Sequence, residues 1–152
     1  DFIDGDTKRA FAMDMLSSTH PIAVHVETPN QIEEIFDSIS YGKGGSVLRM
    51  LEAFMGAEPF RRGVSNYLTE FAYKNATAED LWTALEQESD APVKDLLVAW
   101  ITKPGFPLVN VSRSEDGVTL TQERFMAPQL TQSQCHTDTT IWPIPLTWQD
   151  GS

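Results

Sequence analysis

The most unusual local chemistry in the sequence lies in Phe36-Asp37-Ser38-Ile39-Ser40-Tyr41-Gly42-Lys43-Gly44-Gly45-Ser46-Val47-Leu48. A tyrosine, a lysine and three glycines crowd what reads as a helix N-terminus, where free backbone N–H groups favour anions. A phosphate-binding loop is the first chemistry to test. That pattern needs Gly-Lys followed by Ser or Thr, after a buried strand. Here Lys43 is followed by Gly44 and the preceding stretch is helical, so the phosphate reading fails. Two readings remain. In one, the glycines permit close helix packing while Tyr41 and Lys43 are merely exposed. In the other, a tyrosine hydroxyl at a helix start donates a hydrogen bond to developing negative charge. A phenol does this without ionising near neutral pH, because its unperturbed pKa is about 10.

Other catalytic constellations are missing. His20, His25 and His136 are the three histidines, and none stands four residues from another. H-E-x-x-H is absent, and the adjacent pair Cys135-His136 makes no usual zinc site by itself. No serine sits in a Gly-x-Ser-x-Gly elbow. The Trp and Phe stripes read as core before they read as substrate platforms.

A net charge of −11 argues against nucleic acid as a partner, because phosphates need a basic surface. The acidic excess reads as a solvated surface; the sharper reading is a field that favours cationic substrates, such as peptides with a free amino end. A single cysteine excludes an internal disulfide. The triplets Asn75-Ala76-Thr77 and Asn110-Val111-Ser112 keep a secretory or surface location open without establishing it. Localisation is therefore left unassigned.

Two compositional regimes position these residues. Helical periodicity runs to about residue 104, and turn residues with β-branched alternation follow. Asp1 to Leu16 is expected to be a helix with Phe11, Met15 and Leu16 in its apolar stripe. Thr28-Pro29-Asn30-Gln31 is a helix start with a capping box, and Ile32, Ile35 and Phe36 form the expected buried stripe. A helix from about Tyr41 to Met55 carries Val47, Leu48, Leu51, Phe54 and Met55, with Gly56 as C-cap. Pro59 opens the next, with Phe60, Val64, Tyr67, Leu68 and Phe71 in register. Thr77 to Asp80 caps another, holding Leu81, Trp82 and Leu85, and Pro92 starts the last, holding Val93, Leu96, Leu97 and Trp100. Leu108–Arg113 and Val118–Glu123 form a hairpin around Ser114 to Gly117. Residues 127–139 read as an exposed loop. Thr140 to Trp148 reads as a further strand, with Ile144, Leu146 and Trp148 on one face and Pro143 and Pro145 limiting its pairing. The fold class expected is mainly α with a short β C-terminal part.

From Ala12 to Val111 the sequence resembles the aminopeptidase N and puromycin-sensitive aminopeptidase family of zinc peptidases, the gluzincins. The matching pieces occur in the family's order: Ala12-Met13-Asp14, Ser17 to Ile22, Ile35 to Leu51, Tyr67-Leu68, Phe71 to Ala76, Asp80-Leu81-Trp82, Trp100, and Gly105-Phe106-Pro107. Ile141 to Leu146 is similar to the family's first β-sandwich strands. Gly45 stands where the family usually has alanine, a small change.

The resemblance implies that residues 1–104 are the helical C-terminal part of a thermolysin-like catalytic domain and that 105–152 begin a β-sandwich domain. It implies a catalytic role for Tyr41, hydrogen-bonding the tetrahedral oxyanion, and a substrate-binding role for Phe36. It implies zinc in the parent enzyme, with no metal expected on this chain because H-E-x-x-H and its downstream glutamate would lie upstream of Asp1. The partners implied are peptide substrates and the remainder of the parent chain. The chain alone is expected to be inactive. The competing expectation is a helical protein-interaction module without a catalytic role.

Overall fold

The computed structural model describes residues 2–115, 117–127 and 138–147, apart from the side chains of Asn30 and Glu34. In chain order the elements are a π turn Ile3–Thr7 running into α1 (Lys8–Asp14), then α2 (Pro29–Glu34). A second π turn, Ile39–Lys43, runs into α3 (Gly44–Met55). α4 (Ala57–Glu70), α5 (Ala78–Glu86) and α6 (Val93–Thr102) follow, and then β1 (Pro107–Ser114) and β2 (Gly117–Arg124). The chain is thus mainly helical with a small antiparallel β part.

Local capping chemistry sets several of these boundaries. At α2 the Gln31 Oε1 accepts from the N–H groups of Glu27 and Thr28, at 2.9 and 3.1 Å. At α5 the Asp80 carboxylate accepts from the Thr77 N–H at 2.7 Å, and the Asp80 N–H returns a bond to Thr77 Oγ1. Gly56 ends α3 with its N–H on Glu52 O and a φ of +90°, a backbone state that only glycine holds without strain. Gly56 also serves as N-cap of α4, so that helix opens two residues ahead of Pro59 and the proline sits in its first turn.

Residues 1–44 and 100–142 make up one unit, and 45–99 with 143–152 the other. In the second unit Val47, Leu51, Trp82, Ala84, Leu85, Val93, Leu96 and Leu97 are buried. α4 meets α5 through Gly63, where an added Cβ would lie 2.9 Å from Leu85 Cδ2 and 3.0 Å from its Cα. That close approach explains why the expected stripe of α4 is displaced. Gly63 is its buried residue, whereas Leu68 is exposed and Phe60, Val64, Tyr67 and Phe71 are partly exposed. Arg62 and Asn66 on α4 both bind the Glu88 carboxylate, at 2.7 and 2.8 Å.

In the first unit, β1 pairs with β2 from Pro107↔Arg124 to Ser114↔Gly117. Gly117, at φ +141°, follows the tight turn. Phe11 packs edge-on against Phe106 at 4.6 Å, and Phe106 stacks on Phe125 at 5.2 Å. Two further helix stripes are corrected here. α1 buries Ala10 and Asp14, leaving Phe11 and Leu16 exposed, because its inner face approaches another backbone and holds an ion pair. On and after α2, Ile32 and Phe36 are exposed, since that helix spans under two turns and buries none of its described side chains.

The expected strand Thr140–Trp148 is also corrected. Its described part, through residue 147, forms no strand and joins no ladder. Gln122 instead binds both the N–H and the carbonyl of Trp142, each at 2.8 Å, and Trp142 is buried with its ring centroid 6.2 Å from that of Trp100. Pro143 and Pro145 lack the N–H groups a continued ladder would need. Trp148, Asp116 and most of the expected loop 127–139 lie outside the described residues.

Candidate active site

Tyr41 projects from the π turn Ile39–Lys43, whose Gly44 N–H reaches back to Ile39 O. Inserting a residue into a helical turn in this way re-aims side chains, and such turns recur at functional sites. The turn begins ahead of the expected helix start at Tyr41. The Tyr41 N–H is already spent on Asp37 O, at 3.1 Å. The anion at the helix N-terminus is the chain's own Asp37: its Oδ1 accepts from the N–H groups of Ile39 and Ser40, at 3.0 and 2.9 Å.

The turn is fixed on three sides. Ile39 is fully buried. At Gly42 an added Cβ would lie 2.6 Å from Asp6 O and 3.1 Å from Ala10 Cβ, so the turn rests directly on the N-terminal helical segment. Lys43, expected to be exposed when the glycines serve packing, is only 5% exposed. Its Nζ donates to Asp14 Oδ2 at 2.9 Å, Gly105 O at 2.7 Å and Lys103 O at 3.1 Å, using all three ammonium donors. Burial pushes the Lys43 pKa down; the Asp14 carboxylate opposes that and Arg124 adds to it. Asp14 Oδ1 in turn accepts from the Gly105 N–H at 2.8 Å and from Thr19 Oγ1 at 2.7 Å.

With Gly42 and Lys43 turned inward, Tyr41 faces out and is 63% exposed. Among the described residues its hydroxyl has no hydrogen-bond partner. The Phe36 ring, 64% exposed, lies with its centroid 5.9 Å from that of Tyr41. The structure thus brings together the two residues singled out as catalytic and substrate-binding candidates, on one outward face. A free phenol donor beside an apolar ring can offer a hydrogen bond to an oxyanion and apolar contact to a neighbouring side chain.

A second pair escaped sequence reasoning. His20, considered there only as a metal ligand, places Nε2 2.6 Å from Asp37 Oδ2 and Nδ1 2.8 Å from Pro21 O. Burial disfavours the charged ring, but the Pro21 carbonyl and then the Asp37 carboxylate outweigh it and raise the His20 pKa. For Asp37, burial is likewise outweighed, by the Ser40 N–H and then by His20, and its pKa is lowered. Nothing in the spacing of His20 and Asp37 signals this contact. The one available clue was that each lies inside a segment carrying the family resemblance.

Among the described residues no three His, Cys, Asp or Glu side chains converge as metal ligands would. The described residues therefore do not fit a zinc site, and no step is routed through one. Cys135 and His136 lie outside the described residues. No helix among the described residues is long and apolar enough to cross a membrane.

The peptidase family M1 domain matches residues 1–100 of this sequence. The chain is 49% identical over 147 residues to the tricorn protease-interacting factor F2 of Thermoplasma volcanium, covering 97% of this chain and 18% of that protein. It is 51% identical over 124 residues to a leucyl aminopeptidase of Saccharolobus solfataricus, covering 82% of this chain and 16% of that protein. Aminopeptidase M1-D of Oryza sativa is 40% identical over 146 residues, covering 96% of this chain and 16% of that protein. A match over most of the chain to the M1 domain settles the class: this chain belongs to peptidase family M1. It spans less than a fifth of the length of these relatives.

Proposed function

We propose that this chain is part of a zinc-dependent aminopeptidase that removes N-terminal residues from peptides, and that Tyr41 is its oxyanion-stabilising donor. The observation that carries the reading is Tyr41 itself, an exposed hydroxyl without a partner among the described residues, on a turn anchored at Ile39, Gly42 and Lys43. A donor held before the reaction begins needs no reorganisation when charge develops on the substrate oxygen. Phe36, beside it, would contact the substrate. Zinc dependence would reside in residues outside this sequence. Residues 1–104 would complete a thermolysin-like catalytic domain and 105–152 would begin a β-sandwich domain. The chain alone would be inactive.

The test is Tyr41→Phe in the full-length parent, assayed by steady-state kinetics on an aminoacyl amide. Loss of one oxyanion donor is expected to lower kcat on the order of 10²-fold or more. An unchanged kcat at full zinc content would remove Tyr41 from the mechanism. A parent sequence without H-E-x-x-H would return the chain to the interaction-module reading.

A further inference from the structure

We propose that His20 and Asp37 form a clamp that positions Tyr41, a role that rests on the aminopeptidase reading above. The clamp is built from two segments far apart in sequence. His20 is held by Pro21 O on one side and grips Asp37 Oδ2 on the other. Asp37 spends its second oxygen, Oδ1, on the N–H groups of Ile39 and Ser40, and its carbonyl on the N–H of Tyr41. One residue therefore fixes the backbone at three of the five positions from Asp37 to Tyr41, and His20 fixes that residue.

The other end of the turn has its own anchor, Lys43 on Asp14 and on the carbonyls of residues 103 and 105. Tyr41 sits between the two anchors with an exposed side chain that no contact among the described residues holds by its hydroxyl. The direction of its Cα–Cβ bond is thus set by backbone restraint at both ends. Releasing the His20 end lets the first half of the turn shift, and a displacement near 1 Å of a catalytic group can cost about 10²-fold in rate. His20 and Asp37 touch no reacting atom in this scheme; they are positioning residues. A purely stabilising contact would affect folding, whereas a clamp acting through Tyr41 affects kcat only while Tyr41 has its hydroxyl.

The experiment is a double-mutant cycle in the full-length enzyme. Two variants break the clamp and spare the helix cap. His20→Ala leaves Asp37 on its N–H groups, and Asp37→Ser keeps a capping oxygen but cannot reach His20. Asp37→Asn keeps both the cap and a polar contact to the ring. We expect His20→Ala and Asp37→Ser each to lower kcat on the order of tenfold with KM changed less than about twofold, and Asp37→Asn to restore most of kcat. In the Tyr41→Phe background neither clamp variant should lower kcat further. Equal proportional losses in both backgrounds, or no loss in either clamp variant, would overturn the clamp. If Tyr41→Phe alone leaves kcat unchanged, the failure belongs to the oxyanion assignment. Zinc content and thermal midpoint, measured on every variant, keep a folding loss from being read as a kinetic one.

Discussion

Asp14 and Lys43 meet at 2.9 Å with 2% and 5% exposure, joining the end of α1 to the end of the Tyr41 turn. Each partner is otherwise saturated: Asp14 by Gly105 and Thr19, Lys43 by two carbonyls. A buried pair of this kind is costly to leave half made, because the surviving charge loses its partner away from water.

Lys43→Met and Asp14→Leu should therefore each destabilise by about 3–5 kcal/mol, and the double variant should be considerably less damaging than the sum. Urea denaturation followed by tryptophan fluorescence measures all three. Additive losses would show that the pair is not the coupled unit described.

Gly42 and Gly44 make a matched contrast two residues apart. An added Cβ at Gly42 would meet Asp6 O at 2.6 Å, a backbone atom that cannot swing away, whereas at Gly44 nothing lies within 4 Å. Gly42→Ala should cost about 1–3 kcal/mol by forcing the two helical segments apart. Gly44→Ala should be neutral or stabilising by up to about 1 kcal/mol, since Gly44 has helical angles of −56° and −48°. Thermal unfolding of both variants decides it, and an equal effect of the two would be inconsistent with the crossing described.

The His20–Asp37 pair carries a signed pH dependence. The raised His20 pKa contributes stability that is fully present below its unfolded value of about 6.5 and is lost as pH rises through the folded value. The lowered Asp37 pKa contributes stability that is present above its unfolded value of about 3.9 and is lost as pH falls through the folded value. The difference in thermal midpoint between the wild type and His20→Gln should thus be largest between about pH 4 and 6.5 and should shrink on either side. A difference that grows steadily to pH 9 would contradict the pairing.

Tyr41 and Phe36 should separate activity from stability. Tyr41→Phe should leave stability within about 0.5 kcal/mol, because the hydroxyl it removes has no partner among the described residues. Phe36→Ala should raise KM for substrates with apolar side chains more than it lowers kcat, the pattern of lost ground-state binding. Equal kcat loss without a KM change would move Phe36 out of the binding role.

Much of the local structure was legible from residue order. The capping residues Thr28 and Gln31, the cap over Thr77 to Asp80, Gly56 as a C-cap and the hairpin around Ser114 to Gly117 each act within a few residues, so order alone reveals them. The apolar stripes were less legible. Periodicity tells which residues share a face but not whether anything covers it, and Phe11, Ile32, Phe36 and Leu68 share a face with buried or half-buried neighbours yet remain exposed.

Residue types and spacing by themselves placed Tyr41 at a glycine-rich helix start and marked the chain as mainly helical, while its contiguous segments carried the family resemblance; all of these signals are local in sequence. Only the tertiary structure decided that Lys43 turns inward to Asp14, that Gly42 is pressed against Asp6, and that His20 reaches Asp37. Each of those contacts joins residues on different segments, so its existence depends on how the segments pack. That packing turns Tyr41 outward and leaves its hydroxyl without a partner among the described residues.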